Sequence, residues 1–102
     1  LSRPARPTAV FAFNDVLAAG VMKAARRLGL EIPQELSVVG FDDSTICAML
    51  EPELSSAHVD CRRMGELSME RMTALLSGAE NVPRLTVVPV ELRVRASSRT
   101  RT

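Results

Sequence analysis

Two short stretches carry the side chains best suited to holding a small polar molecule. Asn14 and Asp15 follow the apolar run Ala9-Val10-Phe11-Ala12-Phe13, and Asp42 and Asp43 follow Leu36-Ser37-Val38-Val39-Gly40-Phe41. An ionised carboxylate accepts two hydrogen bonds and a primary amide both donates and accepts, which suits vicinal hydroxyls. Phe13 and Phe41, if they face the same space, supply apolar faces for a sugar or a base. Each residue also has a plainer reading. Asp15 reads mainly as a helix N-cap, with Asn14 as the alternative cap. Asp43 could be a turn residue bonding its own backbone, and the two phenylalanines could be core.

Other chemistries find less support. There is no G-x-G-x-x-G after a strand, no G-x-x-x-x-G-K-[ST] and no G-x-S-x-G. The single histidine, His58, has no nearby serine–base arrangement to serve. A magnesium-dependent phosphoryl acceptor built on Asp42-Asp43 needs a lysine at a later strand end, but the only lysine, Lys23, falls within a helix. Cys47 and Cys61 with His58 and Asp60 could be read as a metal site. The cysteines stand fourteen residues apart, however, and lack paired C-x-x-C spacing, so they read as small apolar side chains. No catalytic residue, metal or cofactor is expected.

The elements that must position Asn14 and Asp42 follow from the hydropathy pattern. Residues 1–8, with Pro4 and Pro7, read as an irregular lead-in. The unbroken apolar run at 9–13 predicts a strand covered on both faces, as in parallel sheets. Leu17, Val21, Ala25 and Leu28 repeat at helical spacing, which predicts a helix over 15–28 ended by Gly29 in the left-handed conformation. A second strand follows at 36–41. A helical crossover of this length implies parallel strands in a right-handed βαβ unit. Ligands of open parallel sheets bind beyond the carboxyl ends of the strands, which brings positions 14 and 42 to one rim.

Beyond this unit, residues 42–54 read as a loop with a helical turn at 46–50, and 55–59 as a short third strand. A second helix is expected over 62–76, its apolar stripe formed by Met64, Leu67, Met72, Leu75 and Leu76. Strands are expected at 85–88 and 91–94, the latter with Leu92 and Val94 on a dry face. Residues 96–102 form a polar tail, expected to be disordered.

The chain has 102 residues, 46% hydrophobic and 25% charged, and a net charge of +1, which fits one small domain with a modest core. That balance gives no concentrated basic face for a DNA duplex. No apolar run approaches the roughly 20 residues of a bilayer-spanning helix. The start, Leu1-Ser2-Arg3-Pro4, has no signal-peptide core, and a first residue other than Met reads as a fragment or processed product.

Several segments in order resemble the lac repressor/gal repressor (LacI/GalR) family near the C-terminal end of its ligand-sensing domain. They are Val10 to Val21, Gly29-Leu30-Glu31-Ile32-Pro33, Leu36 to Ser44, Pro52-Glu53-Leu54-Ser55-Ser56, Gly65 and Val90 to Ser98. The resemblance implies an α/β fold: an incomplete parallel-sheet, three-layer lobe of a periplasmic-binding-protein-like fold, with residues 9–95 as the C-terminal part of the effector domain. It implies a small-molecule effector of sugar or nucleoside class, a homodimer, and operator DNA bound through an absent N-terminal helix-turn-helix, in a cytoplasmic protein. Asn14 and Asp42 fall where the family contacts ligand hydroxyls, and Phe41 where an aromatic flanks that acid. Val59 stands where many relatives carry a polar ligand contact, which points to a less hydroxyl-rich effector or a changed contact there. Dimer contacts are implied near Ala19 and around Met49 and Leu50. Residues 61–88 would pack on the absent lobe, so exposed apolar surface is expected there. The alternative is a periplasmic sugar-binding protein of a transport system.

Overall fold

The computed structural model describes residues 1–101. The chain forms two units by packing: Leu1–His58 with the chain from Glu91 onward, and Val59–Val90.

The first unit is a four-stranded sheet in the order β1 (Ala9–Phe11), β2 (Ser37–Asp42), β3 (Ser55–His58), β4 (Glu91–Arg93). β1, β2 and β3 run parallel and β4 is antiparallel to β3. The expected strand–helix–strand crossover is α1 (Asp15–Arg27), and Gly29 takes φ 73° just past it. A 3-10 turn over Thr45–Met49 breaks the loop between β2 and β3.

The buried face of α1 is Ala18, Met22 and Ala25, packed with Leu36, Val38, Cys47 and Leu54. This lies one residue round the helix from the expected stripe, and Leu17 and Leu28 are exposed. Ala18 and Ala25 have small side chains, so they allow a close approach to β2. Full burial of Met22, Leu36, Val38 and Leu54 contributes about 1.5–3 kcal/mol each. Only the α1 side of β1 is covered: Val10 packs on the core, whereas Phe11 and Phe13 are 68% and 83% exposed. The expected covering on both faces is therefore half present among the described residues.

The end of the chain differs from expectation. Ser97 is fully buried, not part of a loose tail. Its N–H donates to Glu53 O (3.0 Å), its hydroxyl donates to Val38 O (2.6 Å), and its carbonyl accepts from Val38 N (2.8 Å). Arg99 continues the seam, its N–H donating to the Ser37 hydroxyl and its guanidinium to Gln34 O. A polar sequence was read as water-seeking, yet short hydroxyls here satisfy backbone groups where β2 and β3 begin. Thr102 lies outside the described residues. β4 also departs from its pattern, since Leu92 and Val94 are both exposed. It is the edge strand, so alternation finds no layer to bury into.

The second unit holds α2 (Cys61–Leu76), capped by Asp60, whose carboxylate accepts from Arg63 N at 2.9 Å. No residue of α2 is fully buried, and Met69, Met72, Leu75 and Leu76 are exposed. The strand expected at 85–88 does not form: Leu85 and Val87 are exposed and no ladder partner is present among the described residues. A strand needs a neighbour to satisfy its backbone, and these residues have none. A groove of about 430 Å³ runs between α2 and residues 82–88, walled by Leu67, Leu75, Val82 and Val88, with Arg71 and Thr86 in contact across it.

Candidate functional site

Parallel pairing of β1 with β2 sends both carboxyl ends to the same edge, so Asn14 and Asp42 stand at one rim, as the crossover predicts. Asn14 is the N-cap of α1. Its Oδ1 accepts from Leu17 N at 2.9 Å, which leaves its amide NH2 group for a further acceptor. The main reading of Asp15 as the cap is thus corrected in favour of the alternative.

Asp15 turns inward instead. It is 2% exposed, and its carboxylate accepts from Ser44 N (2.7 Å), Ser44 Oγ (2.8 Å) and Ser56 Oγ (2.6 Å). Burial pushes this carboxyl up, but the bonds from Ser56, Ser44 and Cys47 outweigh it and hold it below the usual range. Gly40 makes room for it: a Cβ there would run into the Asp15 carboxylate and stand 3.1 Å from Leu54 Cδ2. The first turn of α1 is thereby tied to the loop after β2 and to β3. Burial and then the Asp15 carboxylate push the Cys47 thiol up to about 11.

Asp42 and Asp43 are consecutive non-glycine residues at positive φ, 103° and 55°. Such conformations cost about 1–3 kcal/mol each and persist only where the surroundings enforce them. Asp43 supplies the enforcement. Its N–H donates to Ser56 Oγ (3.0 Å), Oδ2 lies 2.9 Å from His58 Nδ1, and Oδ1 lies 2.7 Å from Arg95 Nη1. An ionised carboxylate can only accept, so His58 Nδ1 carries the proton in this contact. Burial raises the Asp43 carboxyl, but Arg95 and His58 outweigh it and leave it below the usual range. Arg95 is itself fixed by Leu54 O (2.8 Å) and by the Ser55 hydroxyl on its N–H (2.7 Å). Asp42, by contrast, is exposed and has no ion-pair partner among the described residues.

The remaining candidates are spread more widely. Phe41 is half-buried beside Asp42, and Phe13 is exposed beside Asn14. Val59 is the first residue of the second unit, directly after β3, and is half-buried. Ala19 is half-buried on α1. Met49 is 81% exposed, and Leu50 packs on the core. No cluster of three or more His, Cys, Asp or Glu side chains suited to a metal occurs among the described residues. No helix is long and apolar enough to cross a membrane. The groove of the second unit contains none of Asn14, Asp42, Phe13 or Phe41.

Reading from sequence missed Asp15, Ser44, Ser56 and Arg95 as the parts that hold the rim. The one available signal was an acidic residue beside a cap and serines in otherwise apolar surroundings.

The sequence matches the family model of the periplasmic binding protein-like domain over residues 1–98. It is 38% identical over 90 residues to the HTH-type transcriptional repressor PurR of Vibrio vulnificus (strain CMCP6), covering 88% of this chain and 27% of that protein. It is 37% identical over 92 residues to the HTH-type transcriptional regulator DegA of Bacillus subtilis (strain 168), covering 90% and 27%. Among solved structures, the transcriptional regulator CelR–cellobiose complex matches with a TM-score of 0.84 at 30% identity, covering 89% of this chain and 28% of that one. The lac repressor dimer bound to operator and the anti-inducer ONPF gives a TM-score of 0.84 at 34% identity, covering 90% and 32%. The chain therefore spans between a quarter and a third of the length of these proteins.

Sheet order, crossover and rim define part of a lobe of the periplasmic-binding-protein-like fold. The chain belongs to the periplasmic binding protein-like domain family, and the relatives it matches are LacI-type regulators.

Proposed function

We propose that this chain is the effector-sensing segment of a LacI-type transcription regulator, non-catalytic and cytoplasmic, that acts as a homodimer. The observation that carries the reading is that the helix-capping Asn14 and a strained, unpartnered Asp42 stand at one end of the sheet. Asp42 accepts from ligand hydroxyls and Asn14 donates its amide to the same ligand. Phe41 and Phe13 offer ring faces to a sugar or nucleoside, and Val59 replaces a polar contact with an apolar one. Ala19, Met49 and Leu50 mark the dimer face. Operator DNA is bound by a helix-turn-helix encoded upstream. Ligand shifts the population between lobe arrangements by its differential affinity for them, and so changes the spacing of the DNA-binding heads.

The relatives named as a transcriptional repressor and an operon regulator favour regulation over delivery to a transporter. A CelR structure with cellobiose and an Arthrobacter LacI-family structure with lactose favour the sugar class of ligand. The test is a thermal-shift screen of cellobiose, lactose and guanosine on the protein with its upstream sequence restored, followed by calorimetry on Asp42→Ala. Loss of a wild-type binding signal in a variant that still folds supports the reading. Unchanged affinity refutes the anchor assignment.

A further inference from the structure

The three contacts of Asp43 lie on elements that flank the two places where the chain passes between its units. His58 is the last residue of β3, and Val59 opens the second unit. Arg95 follows β4, which begins at Glu91 as the chain returns, and Glu91 is the register partner of His58. His58 is in turn the register partner of Asp42 in the parallel ladder. A single carboxylate, 11% exposed, therefore joins the loop carrying Asp42 to the outgoing strand and to the incoming one. Its neighbour Asp42 is left free at φ 103°, a conformation that its own side chain does nothing to hold.

We infer that Asp43 is a positioning residue: its paired contacts with His58 and Arg95 hold the Asp42 carboxylate in its outward, unpartnered geometry and make that geometry depend on the strands at both chain crossings. This rests on the reading of Asp42 as the effector anchor, but its geometric part stands apart from any ligand. With both partners in place, the left-handed pair is over-determined from three sides: by Ser56 on its backbone, His58 at Oδ2 and Arg95 at Oδ1. In Asp43→Asn one carboxylate oxygen becomes an NH2 donor, so His58 and Arg95 cannot both keep their acceptor. The loop then relaxes toward the extended backbone that ordinary residues prefer.

The experiment uses the full chain, labelled for NMR. The three-bond coupling between amide proton and Hα at Asp42 reports φ directly. The expected result is a small coupling in the wild type and a large one, typical of extended backbone, in Asp43→Asn. His58→Lys, which still presents an N–H donor to Asp43, is expected to retain the small coupling, and His58→Leu to lose it. A merely structural role would move the melting temperature in all three without this ordering. If Asp43→Asn does not fold, the contrast between His58→Leu and His58→Lys decides the matter. An unchanged Asp42 coupling in folded Asp43→Asn or in folded His58→Leu overturns the inference. In the second arm cellobiose is titrated into wild type and Asp43→Asn, with an expected loss of at least tenfold in affinity. A wild type that ignores cellobiose counts against the effector reading alone, and the coupling then decides this one.

Discussion

The hydroxyl of Ser56 donates to the Asp15 carboxylate at 2.6 Å, joining the first turn of α1 to β3 across the intervening β2. Together with the two bonds from Ser44, this makes Asp15 the buried fastener under the rim. Asp15→Ala would leave one N–H and two hydroxyls without their acceptor. We expect a loss of about 2–4 kcal/mol, read as a lower urea midpoint at unchanged slope. Asp15→Asn should lose less, because the amide oxygen can still accept.

Acid should unfold the protein by way of the same carboxyl and its counterpart at Asp43. Both sit below the free value of 3.8, so the unfolded chain takes up protons before the folded one does. Their stabilisation is complete above that value and drains away as the pH falls through and beneath it. A series of melts between pH 6 and roughly 2 should show this loss, and it should be shallower in Asp15→Asn.

Gly40→Ala should be damaging although the glycine lies in an ordinary strand. The added methyl meets the Asp15 carboxylate and Leu54, and the first cannot move without breaking its bonds from Ser44 and Ser56. Overpacking of this kind costs about 1–3 kcal/mol. The check is the melting temperature of the variant beside that of Gly20→Ala, where a Cβ meets nothing within 4 Å.

Asp42→Gly should stabilise the fold by about 0.5–1 kcal/mol while removing the proposed effector anchor, because glycine accepts φ 103° without strain. A higher melting temperature coupled with lost ligand response would mark this position as one kept for function. A lower melting temperature would show that the side chain serves the fold.

The two cysteines should separate cleanly under a thiol reagent. Cys61 is exposed, whereas Cys47 is buried with its thiol pushed up to about 11. One equivalent should react promptly in the folded chain and the second only on unfolding, as read by the colour released from a disulfide reagent.

The βαβ frame was legible because its signals are local. A continuous apolar run, a helical repeat ending at Gly29 and a second run imply parallel strands, and from these the shared rim of Asn14 and Asp42 follows. The support of that rim was not legible. Asp15 meets Ser56, and Asp43 meets Arg95, across 41 and 52 positions of chain, and no periodicity reports pairings of that kind. The helix stripe was displaced by one residue because the small side chain of Ala18 was passed over in favour of its larger neighbour Leu17. The strand at 85–88 failed for a different reason: its apolar content is real, but a ladder is a property of two segments and only one is here.

The seam at Ser97 has a consequence for the order of events at synthesis. The first unit is interrupted in sequence by the whole of the second, and the group that closes the gap where β2 and β3 begin, the Ser97 hydroxyl between Val38 O and the Ser55 N–H, comes only after it. Contacts spanning 59 positions form late because loop closure precedes any reward. During translation the sheet therefore waits, with Val38 O and Ser55 N unsatisfied, until Ser97 has left the ribosome.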